Sequence, residues 1–261
     1  MRPSVEVVGG SIGAQTVARS TPDGYTLFQC TSGSITVNPV MPGQAQPVDV
    51  TTEIIPVANN ALSQYGVVVN PASPYRSLRD IVEAARARPG TVTYGSAGVG
   101  SMQHLAIERL AHMTRVEFSH IPYRGAAPAV VDLVSGRFDF TITNLADMVS
   151  QIRGGTLRLI GIADASGSPL FPETPSSQAS VPEFEVTSWY GLCGPRGMPR
   201  EAIVALGNAA RQALADPTVR QRLVENGLIP AYEDASTFGA RITLDRERWR
   251  EVIRAANIQA N

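Results

Sequence analysis

Three turns carry the residues best placed to do chemistry. They are Tyr94-Gly95-Ser96-Ala97-Gly98-Val99-Gly100-Ser101, Pro122-Tyr123-Arg124-Gly125-Ala126-Ala127-Pro128 and Thr143-Asn144-Leu145-Ala146-Asp147. Each follows a short β-rich run and leads into a helical stretch. The first turn of a helix leaves backbone N–H groups unpaired and carries partial positive charge. Glycines let that backbone approach a ligand closely. Several such turns at one edge of a sheet make an anion site that needs neither lysine nor metal. Asp147 is their only acidic side chain, so a carboxylate suits them better than an amine. Arg124 is their one cation, either a ligand contact or half of a helix-surface ion pair.

Other chemistries fit poorly. Gly95, Gly98 and Gly100 miss the Gly-x-Gly-x-x-Gly spacing of a dinucleotide site. All 22 basic residues are arginine, which rules out a phosphate-loop lysine, a Schiff base and a Ser-Lys dyad. A hydrolase elbow needs Gly two residues before the serine, where this chain has Tyr94. His104, His112 and His120 have no zinc-site spacing and read as structural. Cys30 and Cys193 are too few for a disulfide framework or metal site. They read as small buried or half-buried side chains, with pairing left open. No nucleophile–base pair is visible, so an α/β hydrolase-like enzyme is the weaker alternative.

The turns must be held by alternating strands and helices. Strand-like runs are Tyr25–Gln29, Ile54–Ala58, Tyr65–Asn70, Thr91–Tyr94, Glu117–Ile121, Phe138–Thr143 and Leu157–Ala163. Helices are expected over Leu78–Arg88, with Ser77 and Asp80 as a capping box, and from Ser101 to Met113. Ala126–Ser135 and Asp147–Arg153 are two more. The alternation predicts parallel sheets with helical cover. In such sheets ligands sit beyond the carboxyl ends of the strands, where the three turns lie. Ser166–Phe184 is a Ser/Pro-rich loop, and Glu185–Gly191 another strand. Helices follow over Glu201–Leu214, from Asp216-Pro217 to Asn226-Gly227, and over Thr237–Ala256, with Trp249 turned inward. Trp189 and Tyr190 either line a cleft or pack in the core.

Composition sets the limits. The 261 residues are 43% hydrophobic, enough for a large core in one or two domains. A net charge of −1 gives no basic excess for nucleic acid. No stretch reaches the roughly 18 apolar residues of a membrane span. Met1–Glu6 lacks the apolar region of a signal peptide.

These residues resemble the Bug (TctC-type) extracytoplasmic receptors of tripartite tricarboxylate transporters. The matching stretches are Gly9-Gly10-Ser11-Ile12-Gly13-Ala14 with Val17-Ala18, Pro22-Asp23-Gly24-Tyr25-Thr26-Leu27, Thr31-Ser32-Gly33 and Val68-Val69-Asn70-Pro71. They continue through the first turn with Gln103-His104-Leu105-Ala106, then His120–Gly125, Phe184–Leu192 and Asp216-Pro217. The resemblance implies an α/β, two-lobed, periplasmic-binding-protein-like (Venus flytrap) fold with two crossovers. Residues 1–70 and 188–261 would form one lobe and 71–187 the other. It implies a small carboxylate bound between the lobes, a monomer, no cofactor, a periplasmic location and membrane partners that read the closed form. Ligand contacts would come from Thr31 and Ser32 on one lobe and from Ser96, Gly98, Gly100, Ser101, Gly125, Ala126 and Asn144 on the other, with Arg124 as the charged candidate. The family normally has a signal peptide and a leading β-α-β unit of roughly 30 residues before the Gly-Gly match. On that pattern the first lobe is N-terminally truncated, which leaves a cytoplasmic carboxylate sensor or a non-functional remnant as the other alternative.

Overall fold

The computed structural model describes residues 10–259. Met1–Glu6 and Gly9 lie outside the described residues. The architecture is mixed α/β, with helices packed on sheet and a strand shared between two sheets.

That shared strand is β2, Ile54–Val69. Over Ile54–Gln64 it pairs with β7 (Thr187–Pro195), and over Ala58–Ser63 also with β8 (Leu228–Asp234). From Tyr65 onward its partners change to β5 (Phe140–Asn144) and β6 (Arg158–Ile162). The first crossover is thus a passage inside one strand, between Gln64 and Tyr65. The sequence reads as two strands here because Asn59, Asn60, Ser63 and Gln64 interrupt the apolar run. Three of these polar side chains are buried, and each donates a hydrogen bond, although the Oδ1 atoms of Asn59 and Asn60 are buried without a partner. Asn59 donates to Ala231 O, Ser63 to Asn144 Oδ1, and Gln64 to Asp164 Oδ2. Buried polar groups with partners cost little, so the strand continues through them. The second crossover lies at Val186, whose N–H donates to Ala163 O beside β6 just before β7 begins.

The first sheet is completed by β1 (Phe28–Thr31), which pairs antiparallel with β7. All of its pairings are antiparallel, contrary to the parallel expectation. The second sheet meets that expectation in part. Strands β3 (Thr93–Ser96), β4 (Ser119–Pro122) and β5 are mutually parallel, whereas β2 runs against β5 and β6.

Cys30 on β1 and Cys193 on β7 form a disulfide with a Cα–Cα distance of 5.9 Å. The pairing that the sequence left open is thereby decided, and both cysteines are fully buried. The residues are 163 positions apart, and only strand pairing brings them together.

Local chemistry explains most helices. In α2 (Leu78–Ala87) Ser77 and Asp80 form the capping box, and Leu78, Ile81, Val82 and Ala85 are buried. In α7 (Pro217–Glu225) Asp216 caps Thr218 and Val219, with Pro217 at the first position. Helix α6 (Arg200–Ala215) precedes it. Helix α8 (Ala235–Ala255) serves both sheets. Phe238 and Ile242 join the core of the first, while Trp249 and Ile253 join that of the second. Helix α1 (Gly10–Ala18) and strand β8 carried no clear periodic signal. Gly227, just before β8, has φ +76°, and a Cβ there would stand 2.9 Å from Ala146 N. The first sheet therefore presses directly on the turn that follows β5.

Candidate functional site

The carboxyl ends of β3 and β5 point at the passage between the sheets, and a cavity of about 250 Å³ lies there. The first sheet and its flank supply Thr31, Gly33, Ser188 and Tyr190. The crossing strand supplies Tyr65. The second sheet supplies Ala97, Ser101, Met102, Gln103, Ala126, Thr143, Asn144 and Asp147.

Ser101 caps α3 (Met102–Thr114), its side chain accepting from His104 N. Gln103 is buried and spans two turns. Its Oε1 accepts from Ala97 N at 2.5 Å, and its Nε2 donates to Thr143 Oγ1 at 2.6 Å. Helix α4 (Ala126–Val134) begins after Gly125 with no side-chain cap. Gly125 has φ 110° and ψ 170°, a conformation essentially confined to glycine. Its N–H donates to Ala97 O, tying the second turn to the first. The uncapped start of α4 and the first N–H groups of α3 thus face one space, which suits an anion.

Asn144 joins the halves of the site. Its Oδ1 accepts from Ser63 Oγ at 2.5 Å and from Ala146 N at 3.0 Å. Its Nδ2 donates to Tyr190 Oη at 3.2 Å. On the facing side Ser32 and Ser188 share a 2.7 Å hydrogen bond, and Thr31 is held by Ser34.

The electrostatics are unusual for a candidate anion site. No arginine or histidine lines the cavity, and Asp147 is its one ionisable acid. Burial pushes the Tyr65 and Tyr190 phenols above their ordinary range, so both remain hydrogen-bond donors. Burial also raises the Asp147 carboxyl.

Of the ten residues singled out by sequence, Thr31, Ser101, Ala126 and Asn144 line the cavity. Ser32 stands behind it through Ser188. Gly98, Gly100 and Gly125 shape the turns. Arg124 is solvent-exposed and outside the lining. Ser96 is fully buried beneath the first turn, bonded to both Gly98 N and Gly98 O.

Ser96 Oγ also lies 2.7 Å from His120 Nε2. This is the nucleophile–base spacing that the sequence did not reveal. The serine has no exposed surface and is absent from the cavity, so it cannot attack a substrate there. The pair is part of a support. His120 stacks on His104 at 4.1 Å and on Tyr94 at 4.7 Å. His104 Nδ1 accepts from Gly100 N, and Tyr94 donates to Glu108 at 2.7 Å.

Sequence reasoning left out Tyr65, Gln103, Thr143 and Ser188 as site residues. A usable signal existed for Tyr190. Alternation along β7 turns Trp189 into the core, where it donates to Asp245 and packs edge-on against Phe238, and turns Tyr190 the other way. Among the described residues no group of three His, Cys, Asp or Glu side chains could hold a metal, and no helix is long and apolar enough to cross a membrane.

Known proteins share this architecture. A family model described as tripartite tricarboxylate transporter family receptor matches residues 3–258. The chain is 32% identical over 255 residues to the "UPF0065 protein in tcbD-tcbE intergenic region" of Pseudomonas sp. (strain P51), covering 97% of this chain and 75% of that protein. It is 30% identical over 247 residues to protein BugT of Bordetella pertussis, covering 94% and 76%. Among solved structures, an R. palustris protein with adipate superposes with a TM-score of 0.85 at 30% identity, covering 95% of this chain and 83% of that one. A structure described as a periplasmic transporter gives 0.84 at 33% identity, covering 97% and 85%.

Proposed function

The chain belongs to the tripartite tricarboxylate transporter receptor family, a family of solute receptors rather than enzymes, and on that premise we propose that it captures a small carboxylate between two lobes in the periplasm. The single observation that carries this reading is the cavity itself. The starts of α3 and α4, the Asn144 amide and the hydroxyls of the facing sheet all converge on it, while the Ser96–His120 pair stays off its wall. The adipate-bound R. palustris neighbour supports a small acid as ligand.

The lobes in this reading are residues 1–70 with 188–261, and residues 71–187, with β2 common to both. Thr31, Ser101, Ala126 and Asn144 contact the ligand. Ser32, Ser96, Gly98, Gly100 and Gly125 hold the contacting groups in place, and Arg124 offers its charge at the rim. Closure is a population shift, because a ligand touching both lobes binds the closed form better. Membrane components of the transporter then recognise that form. The Cys30–Cys193 disulfide favours an oxidising compartment, as the periplasm is.

The test is a thermal-shift and calorimetric screen against small mono-, di- and tricarboxylates. Binding to the native state alone raises Tm by mass action. We expect a shift with at least one acid, lost in Asn144→Ala. A cooperatively melting protein that shifts with none of the acids would rule the reading out.

A further inference from the structure

Asp147 is the one formally charged side chain on the cavity wall, and its sign is that of the expected ligand. It ends the short turn Leu145–Asp147, which Asn144 fixes by accepting from Ala146 N. Among the described residues no ion pair is made by its carboxylate, and no hydrogen-bond donor reaches it. Its charge is felt by the phenols across the cavity, Tyr65 and Tyr190. Both are donors without positive charge, so neither neutralises it.

An ionised carboxylate beside a binding space works against a purely anionic ligand. Like charges across such a space lower affinity. The same group is an asset if the ligand brings its own cation. The two ends of the cavity then have separate tasks. The starts of α3 and α4 take a carboxylate, and Asp147 takes a protonated nitrogen.

Building on the carboxylate reading above, we propose that the ligand is a small zwitterionic acid, a carboxylate bearing an ammonium group, and that Asp147 is the residue that selects the ammonium. The cavity of about 250 Å³ accommodates a molecule of that size. Tyr65 and Tyr190 line the same cavity as Asp147.

The experiment compares matched acids that differ only in the amine: aspartate with succinate, 2-aminoadipate with adipate, and 4-aminobutyrate with butyrate. Titration calorimetry at pH 7.5 is run on the wild type, Asp147→Asn and Asp147→Ser. Asp147 faces solvent and makes no internal bond, so both variants should fold, and melting curves check this. We expect one amino acid to bind the wild type at least tenfold tighter than its amine-free partner, and both substitutions to erase that preference. A plain acid that binds the wild type as tightly as its amino partner overturns the proposal while leaving carboxylate capture intact. So does a diacid whose affinity rises from pH 7.5 to pH 5 only when Asp147 is present, since the carboxyl would then act as a protonated donor. Binding of neither kind of acid by the folded protein would sink both readings together.

Discussion

Ser63 Oγ donates to Asn144 Oδ1 at 2.5 Å, and both residues are buried where β2 leaves one sheet and enters the other. Ser63 belongs to the stretch of β2 paired with β7 and β8, and Asn144 ends β5. One hydrogen bond therefore aims a cavity-lining amide from the crossing strand itself. Ser63→Ala should cost about 1 kcal/mol in stability, because Asn144 Oδ1 keeps its bond from Ala146 N. Asn144→Ala should cost about 2 kcal/mol, since it strands Ser63 and loosens Tyr190. Urea midpoints measure both. Ligand affinity should fall in the same order, and an unchanged Kd in Ser63→Ala would show that the amide needs no such aim.

The turn at Gly125 predicts a backbone effect that no lost contact explains. A Cβ there meets nothing within 4 Å, yet φ 110° is closed to other residues. Gly125→Ala should destabilise by about 1–3 kcal/mol or displace the start of α4. Gly90 also has open space around it but lies away from the cavity, so Gly90→Ala is a control that should leave ligand binding intact. Equal affinities in the two variants would remove Gly125 from the site.

The stacked histidines set a direction for stability against pH. Burial and the neighbouring His120 lower His104 to about 4, from an ordinary value of 6.5. Burial also lowers His120. The folded state thus resists protons that the unfolded chain accepts. Stability is complete above about pH 6.5 and declines as pH falls towards 4, by roughly 1 kcal/mol per unit from His104. Partly buried Asp245, whose pKa burial raises, acts against the loss of stability. His104→Gln should flatten the profile of urea midpoints over that window. A profile identical to wild type would assign the acid sensitivity elsewhere.

The disulfide should matter to both folding and binding. Cross-linking positions 163 apart restricts the unfolded chain, by about 5 kcal/mol on loop-closure arithmetic. Dithiothreitol should lower the wild-type Tm and leave the Cys30→Ala, Cys193→Ala double variant unmoved. Because Thr31 and Tyr190 pair across the same two strands, reduction should also weaken ligand binding. A reduced protein with the oxidised Tm would show that strand pairing alone holds the two cysteines in place.

Where structure follows from local chemistry, the sequence was legible. Ser77 with Asp80, and Asp216 with Pro217, announce helices because a cap and its N–H partner lie two or three residues apart. The three strand-to-helix turns likewise point to one end of a sheet. What stayed hidden depends on distant pairing. Ser63 and Gln64 look like the end of a strand until Asn144 and Asp164 are there to satisfy them. Nothing local to Gln103 shows that it spans from Ala97 to Thr143. Cys30 could not be matched to Cys193 without the β1–β7 register. Helix α1 is rich in small residues and lacks a strong apolar stripe, which disguised it.

Strand β2 has partners on both sides in each of its halves. Mechanically it is a torsion bar clamped at both ends, with its free length near Gln64 and Tyr65. Such a bar lets the two bodies turn about a common axis but resists their parting. Twisting it stores elastic energy that must be returned when the bodies rotate back. On the proposed closure of two lobes, the stiffness of a few residues in the middle of one strand would set a restoring torque, and with it the rate at which a captured molecule is let go.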